Sequence, residues 1–178
     1  TATIATSTYA ALSNLDAGAG ADTLNTNNSA NNLTINASAT GSVDGTAISN
    51  FETINTLDGN DSVTVNNSAS ALTLNTGDGW DYLTSTTTSD TLNLSSSNSG
   101  TLGATGSIAF SNLENVTLGS GNDTSTFSTG GGLSGSLNLG EGNNSLTFNA
   151  GAGSLGGNLN SGSGNDTVTF NGGNINGS

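Results

Sequence analysis

The chain has 178 residues and a formal net charge of −13, with 13 Asp and Glu and no Lys, Arg, His, Cys, Met or Pro. Without a cationic side chain it cannot neutralise phosphates, which excludes nucleic acid and anionic lipid as partners. Without Cys, His or Lys it has no disulfide, no thiol chemistry and no nucleophile–base pair of the usual kinds.

The expected elements follow in chain order. The opening, Thr1 to Leu15, has no charged n-region and does not read as a secretory signal. A mature chain, or a piece of a larger one, is therefore expected. From residue 18 one phrase returns: Gly18-Ala-Gly-Ala-Asp22-Thr-Leu24, Leu57-Asp-Gly-Asn-Asp61-Ser-Val-Thr-Val65, and Thr76-Gly-Asp-Gly-Trp-Asp81-Tyr-Leu83. It continues as Gly119-Ser-Gly-Asn-Asp123-Thr-Ser-Thr-Phe127, Gly140-Glu-Gly-Asn-Asn144-Ser-Leu-Thr-Phe148, and Gly162-Ser-Gly-Asn-Asp166-Thr-Val-Thr-Phe170. After each marker residue the chain alternates polar and apolar. Between the phrases lie further alternating runs, Leu33-Thr-Ile35-Asn, Leu72-Thr-Leu74-Asn, Leu92-Asn-Leu94-Ser and Leu137-Asn-Leu139. Period-2 alternation between Gly-, Asn- and Ser-rich turns predicts strands, and the density of Gly rules out amphipathic helices. No run approaches the length of a bilayer-spanning helix.

The markers recur with a period of about 20 to 22, and two of the five steps are close to double that, so the phrase is lost in two places. Those two places resemble each other: Ile48-Ser-Asn-Phe51-Glu52 is answered by Phe110-Ser-Asn-Leu113-Glu114. The interval from Glu52 to Glu114 equals that from Asp61 to Asp123, so a longer repeat is nested on the coil repeat. The chain is therefore expected to be all-β, a right-handed parallel β-solenoid of β-roll type with coils of about 20 to about 22 residues. Positions 1–178 form a single domain or a segment of a longer repetitive protein. Stacked coils put Val63, Val65, Leu72, Leu74, Phe127, Leu146, Phe148, Val168 and Phe170 inward. Ser62 and the threonines fall on the opposite face.

The phrase at 162–170 resembles the nonapeptide repeat of RTX (haemolysin-type) β-rolls. That resemblance implies calcium held by the turn carboxylates, carried here by Asp22, Asp61, Asp81, Asp123 and Asp166. Two departures stand out: one edge of the coil carries the motif instead of two, and Asn144 replaces Asp in one turn. Stacked carboxylates without any basic neighbour repel by roughly 1 kcal/mol per pair in water, so an outside cation would suit them. The alternative is a metal-free turn, since Asp and Asn suit tight turns and form hydrogen-bonded ladders.

Thr64, Thr124, Thr126, Thr147, Thr167 and Thr169 give an exposed threonine face that resembles the ice-binding face of solenoid antifreeze proteins, though Thr is also the ordinary polar residue of an exposed strand. Trp80 and Tyr82 offer a sugar platform or simply cover a coil edge. Asn-x-Ser/Thr triplets such as Asn66-Asn-Ser68 and Asn115-Val-Thr117 follow from composition and argue weakly for glycans. The acids lie in a periodic row, not in a converging pair, so the chain is not expected to be an enzyme. The leading expectation is an extracellular or cell-surface structural protein: a filament, surface layer or adhesin stalk. Ice binding and polysaccharide binding are the alternatives. Phe170 to Ser178 still read as solenoid, so end-to-end self-association or continuation into further repeats is expected.

Overall fold

A computed structural model describes residues 3–5, 14–36, 40–66, 71–103 and 108–177. Most of the opening stretch and part of the Asn66–Ser68 triplet lie outside these. Among the described residues every regular element is a strand. The strands form a ten-stranded sheet, a nine-stranded sheet and a two-stranded one, and most neighbours pair in parallel.

The chain moves back and forth between the two large sheets. Thr23–Asn25 lies in the ten-stranded sheet, Asn32–Ile35 in the nine-stranded sheet, and Thr53–Asn55 in the ten-stranded sheet again. Thereafter Ser62–Val65, Leu72–Asn75 and Tyr82–Ser85 continue the alternation. Each of the last four pairs in parallel with an earlier strand of its own sheet: Thr53–Asn55 with Thr23–Asn25, Ser62–Val65 with Asn32–Ile35, Leu72–Asn75 with Thr53–Asn55, and Tyr82–Ser85 with Ser62–Val65. Leu33, Val63 and Leu83 are in register, and so are Phe127, Phe148 and Phe170.

The register follows from the alternating pattern, because a slip by one residue would turn every apolar side chain outward. Val63, Val65, Leu74, Phe127, Leu146 and Phe148 have no exposed surface, and Leu72 has 6%. Both large sheets contribute to one apolar cluster. Val168 is half-buried and packs against it. Phe170 departs from expectation: it is in register with the buried phenylalanines yet 52% exposed, because Thr167–Phe170 is the last strand of its sheet.

Two places break the parallel order. Asn32–Ile35, Thr40–Val43 and Thr46–Ser49 form an antiparallel triplet in the nine-stranded sheet. Thr91–Ser96, Ser99–Leu102 and Ile108–Ser111 form another in the ten-stranded sheet. The first contains a two-residue hairpin turn, Asp44-Gly45, with φ of 48° and 84°. Asp-Gly is the pair that such a turn favours, since both positions need positive φ.

These triplets are the two places where the phrase is lost. By spacing they read as irregular coils, whereas the chain doubles back there and adds two extra strands to one sheet. Each detour moves the phrase to the opposite sheet. The likeness between the two places survives, because Asn50 and Asn112 both have a φ of 60° and Phe51 and Leu113 are both buried.

Candidate functional site

The marker residues come together as rows of stacked turns, built by one contact that recurs. In each turn the main-chain N–H of the marker donates to the side-chain oxygen of the marker in the next layer. Along the nine-stranded sheet Asn31 donates to Asp61 (2.8 Å), Asp61 to Asp81 (2.7 Å) and Asp81 to Glu114 (2.8 Å). Along the ten-stranded sheet Asp90 donates to Asp123 (2.6 Å), Asp123 to Asn144 (3.0 Å) and Asn144 to Asp166 (2.9 Å). A third, shorter row links Asp22 to Glu52 (2.8 Å).

The five aspartates singled out from sequence are therefore split. Asp61 and Asp81 share one row, Asp123 and Asp166 another, and Asp22 belongs to the third. The motif does not run along one edge of a uniform coil, because each antiparallel detour carries it across to the other sheet. The rows also recruit Asn31, Glu52, Asp90 and Glu114, which sequence reasoning did not assign to them. Their signal was present: each is followed by a polar and then an apolar residue that begins a strand, as in Asp90-Thr-Leu92 and Glu114-Asn-Val116. What they lack is the pair of preceding glycines.

Beside the first row runs a second one of threonines. Thr26 donates its hydroxyl to the Thr56 carbonyl (2.7 Å), Thr56 to the Thr76 carbonyl (3.1 Å), and Thr76 to the Asn112 carbonyl (2.6 Å). All three threonines are buried. Each hydroxyl gives a main-chain carbonyl inside the stack a hydrogen bond.

The second atom of each row side chain separates the Asn rungs from the Asp rungs. Asn31 directs its Nδ2 at three carbonyl oxygens, those of Asn27 (3.1 Å), Ser29 (2.5 Å) and Thr56 (3.2 Å). Asn144 does likewise towards Gly140 (3.5 Å) and Ser161 (3.2 Å). Where Asp stands instead, the corresponding atom is Oδ2. At Asp61, Asp81 and Asp123 it is buried and takes part in no hydrogen bond. Burial pushes the Asp81 carboxyl up from 3.8 to about 6. The Asp61 N–H and Thr76 hydroxyl pull it down, and the charges of Asp61 and Glu114 push it further up. Burial likewise raises Asp123, opposed by the Asp90 N–H and reinforced by the Asp90 charge. The exposed Asp16 is held below its ordinary value, first by the Asn50 amide and then by the Gly18 N–H.

Calcium takes six to eight oxygens at roughly 2.3–2.6 Å. In Asp61, Asp81, Asp123 and Asp166 one carboxylate oxygen accepts a main-chain N–H, and among the described residues no three acids converge. In the Asn layers the same backbone closes around a single amide, at hydrogen-bonding distances.

The threonine face is in register. On the ten-stranded sheet Thr124, Ser145 and Thr167 form one file, and Thr126, Thr147 and Thr169 another. Thr124, Thr167 and Thr169 are exposed, whereas Thr126 and Thr147 are half-buried. Thr64, also half-buried, lies on the other sheet beside Thr84. Trp80 and Tyr82 are 43% and 49% exposed, and the Trp80 N–H donates to Asn60 Oδ1 at 2.9 Å. Compared with family models, curated proteins and solved structures, the chain matches none.

Proposed function

We propose that this chain is a load-bearing segment of an extracellular fibre, surface layer or adhesin stalk, built as a right-handed parallel β-solenoid rod. The observation that carries this reading is the pairing itself. Both large sheets extend in the same direction through successive layers, and the buried carboxylates and threonines run along that direction as hydrogen-bonded rows. Such a stack resists tension between layers through many bonds loaded together. Its ten strands in one sheet span about 43 Å at the usual strand spacing.

Thr167–Phe170, Leu159–Asn160 and Asn174–Ile175 are the terminal strands of their sheets at the same end, with Phe170 stacked on Phe148 at 4.9 Å. An open parallel edge is a template for another layer of the same kind. The occupant is a second copy or a further repeat. Light scattering of the purified chain is expected to show growth with concentration. Added salt should strengthen it by screening the net charge of −13. A monomer that persists at high concentration and high salt would overturn self-association.

A second reading rests on the two in-register files of Thr and Ser, which offer a regular hydroxyl array for ice. Thermal hysteresis separates the two, since a load-bearing rod has no reason to produce it.

A further inference from the structure

We propose that the edge formed by Asn165, Asp166 and Thr167–Phe170 is a docking site for one kind of partner: a further coil that itself carries Gly-x-Gly-x-Asp or Gly-x-Gly-x-Asn ahead of an alternating strand. Extended segments without that phrase are refused. The inference rests on the stacking proposed above and adds what the incoming layer must contain.

Three contacts recur from layer to layer along this row. First, each marker meets the next layer twice. The Asn144 N–H donates to Asp166 Oδ1 (2.9 Å), and the Asn144 carbonyl accepts the Thr167 N–H (2.8 Å). Asp123 does the same, its N–H to Asn144 Oδ1 (3.0 Å) and its carbonyl from the Ser145 N–H (2.9 Å). The marker side chain thus adds one rung to the ladder ahead of the strand. Second, the residue before the marker is tied by its amide: the Asn143 N–H donates to Asn122 Oδ1 (2.9 Å) and the Asn165 N–H to Asn143 Oδ1 (2.8 Å). Third, the turns leave no room for side chains. A Cβ built on Gly162 would lie 1.6 Å from the Gly140 carbonyl oxygen, and one on Gly164 would lie 1.9 Å from that of Gly142.

Asp166 occupies the next place in this series. Alternate residues of a parallel ladder turn their N–H and C=O groups to opposite sides. Thr167 and Asn171 turn their N–H groups to Asn144 and Phe148, so Asp166, Val168 and Phe170 turn theirs to the open side. By the same repeat, Asn165 Oδ1 and the Gly162 and Gly164 carbonyls meet whatever arrives there. The Phe170 ring, stacked on Phe148 at 4.9 Å and 52% exposed, offers it an apolar seat.

Any extended segment could pair with Val168 and Phe170, as in ordinary strand addition. Only one with a side-chain oxygen two residues before its first inward position can accept the Asp166 N–H. Only one with glycine four and two residues before that marker can lie against Gly162 and Gly164. The edge therefore selects by an attractive contact and a repulsive one together, which is how a surface distinguishes one partner from many of similar shape.

The test appends a second copy of residues 157–178 to the end of the full chain. This puts the next marker 22 residues after Asp166, the step already taken from Asn144 to Asp166. Amide hydrogen exchange, read by NMR, should slow at Asp166, Val168 and Phe170 by roughly tenfold or more relative to the parent. Alanine at the marker of the appended copy should return Asp166 alone to the parent rate, and asparagine there should keep it slow. Alanine at the second glycine of the appended phrase should leave all three amides at the parent rate. An Asp166 amide that stays slow with alanine at the marker, or a glycine variant that seats as well as the unaltered copy, would overturn the docking rule and leave stacking intact. If no appended copy slows Phe170, the rule and the fibre reading fall together.

Discussion

Replacing Gly142 with alanine is expected to cost about 3 kcal/mol or more and to lower the melting temperature by roughly 10 °C. Two effects combine. Gly142 has a φ of 119°, which side chains rarely adopt, and a Cβ built there would lie 1.9 Å from the Gly121 carbonyl oxygen of the adjoining layer. That oxygen belongs to the backbone, so relief requires the turns to separate and the row bonds beside them to stretch. Gly79 stands in the same relation to Gly59, at 1.7 Å. Gly18 provides the contrast: its φ is 81°, yet nothing lies within 4 Å of its Cβ. Gly18→Ala should therefore cost only the backbone strain, about 1–2 kcal/mol. Thermal melting of the three chains checks the order. Equal losses for Gly142→Ala and Gly18→Ala would mean that the layers do not stack as closely as described.

The second large effect is in the phenylalanine column. Phe148 is fully buried between Phe127, with centroids 4.3 Å apart, and Phe170, at 4.9 Å. Phe148→Ala removes a large side chain from a position held by two sheets and should cost about 3–5 kcal/mol. Phe170→Ala changes a side chain that is already 52% exposed, and should cost less than about 1 kcal/mol in the single chain. Chemical denaturation separates the two. If copies stack end to end, Phe170→Ala should weaken that assembly even though the folded chain hardly notices. A Phe148→Ala loss as small as that of Phe170→Ala would show that the column is not buried.

Strands, faces and spacing were legible because period-2 alternation states all three at once. Val63 and Val65 could only face the core if Ser62 and Thr64 faced away. The rows were half legible. Asp61, Asp81, Asp123 and Asp166 stood out through the glycines before them, but Asp90 and Glu114 carry no such flag, and their role appears only when layers are stacked. The detours were hidden for a different reason. Val43-Asp-Gly-Thr46 is a hairpin signal, yet within a chain that otherwise stacks in parallel the local turn chemistry passes for one more irregular coil. Crossing of the phrase between sheets follows from that hairpin and could not be inferred without it. Spacing alone could not distinguish a row of metal ligands from a row of hydrogen-bonded acids.

Spin labels at Thr73→Cys and Thr169→Cys test the layer order most directly, because both positions are exposed and the chain has no other cysteine. They lie on one file of the ten-stranded sheet, running Thr73, Ala109, Thr101, Asn93, Thr126, Thr147 and Thr169. Six strand spacings separate them, so pulsed electron resonance should give a distance centred at about 29 Å. A regular stack without the antiparallel detour would leave only four spacings, and a distance of about 19 Å would contradict the fold described.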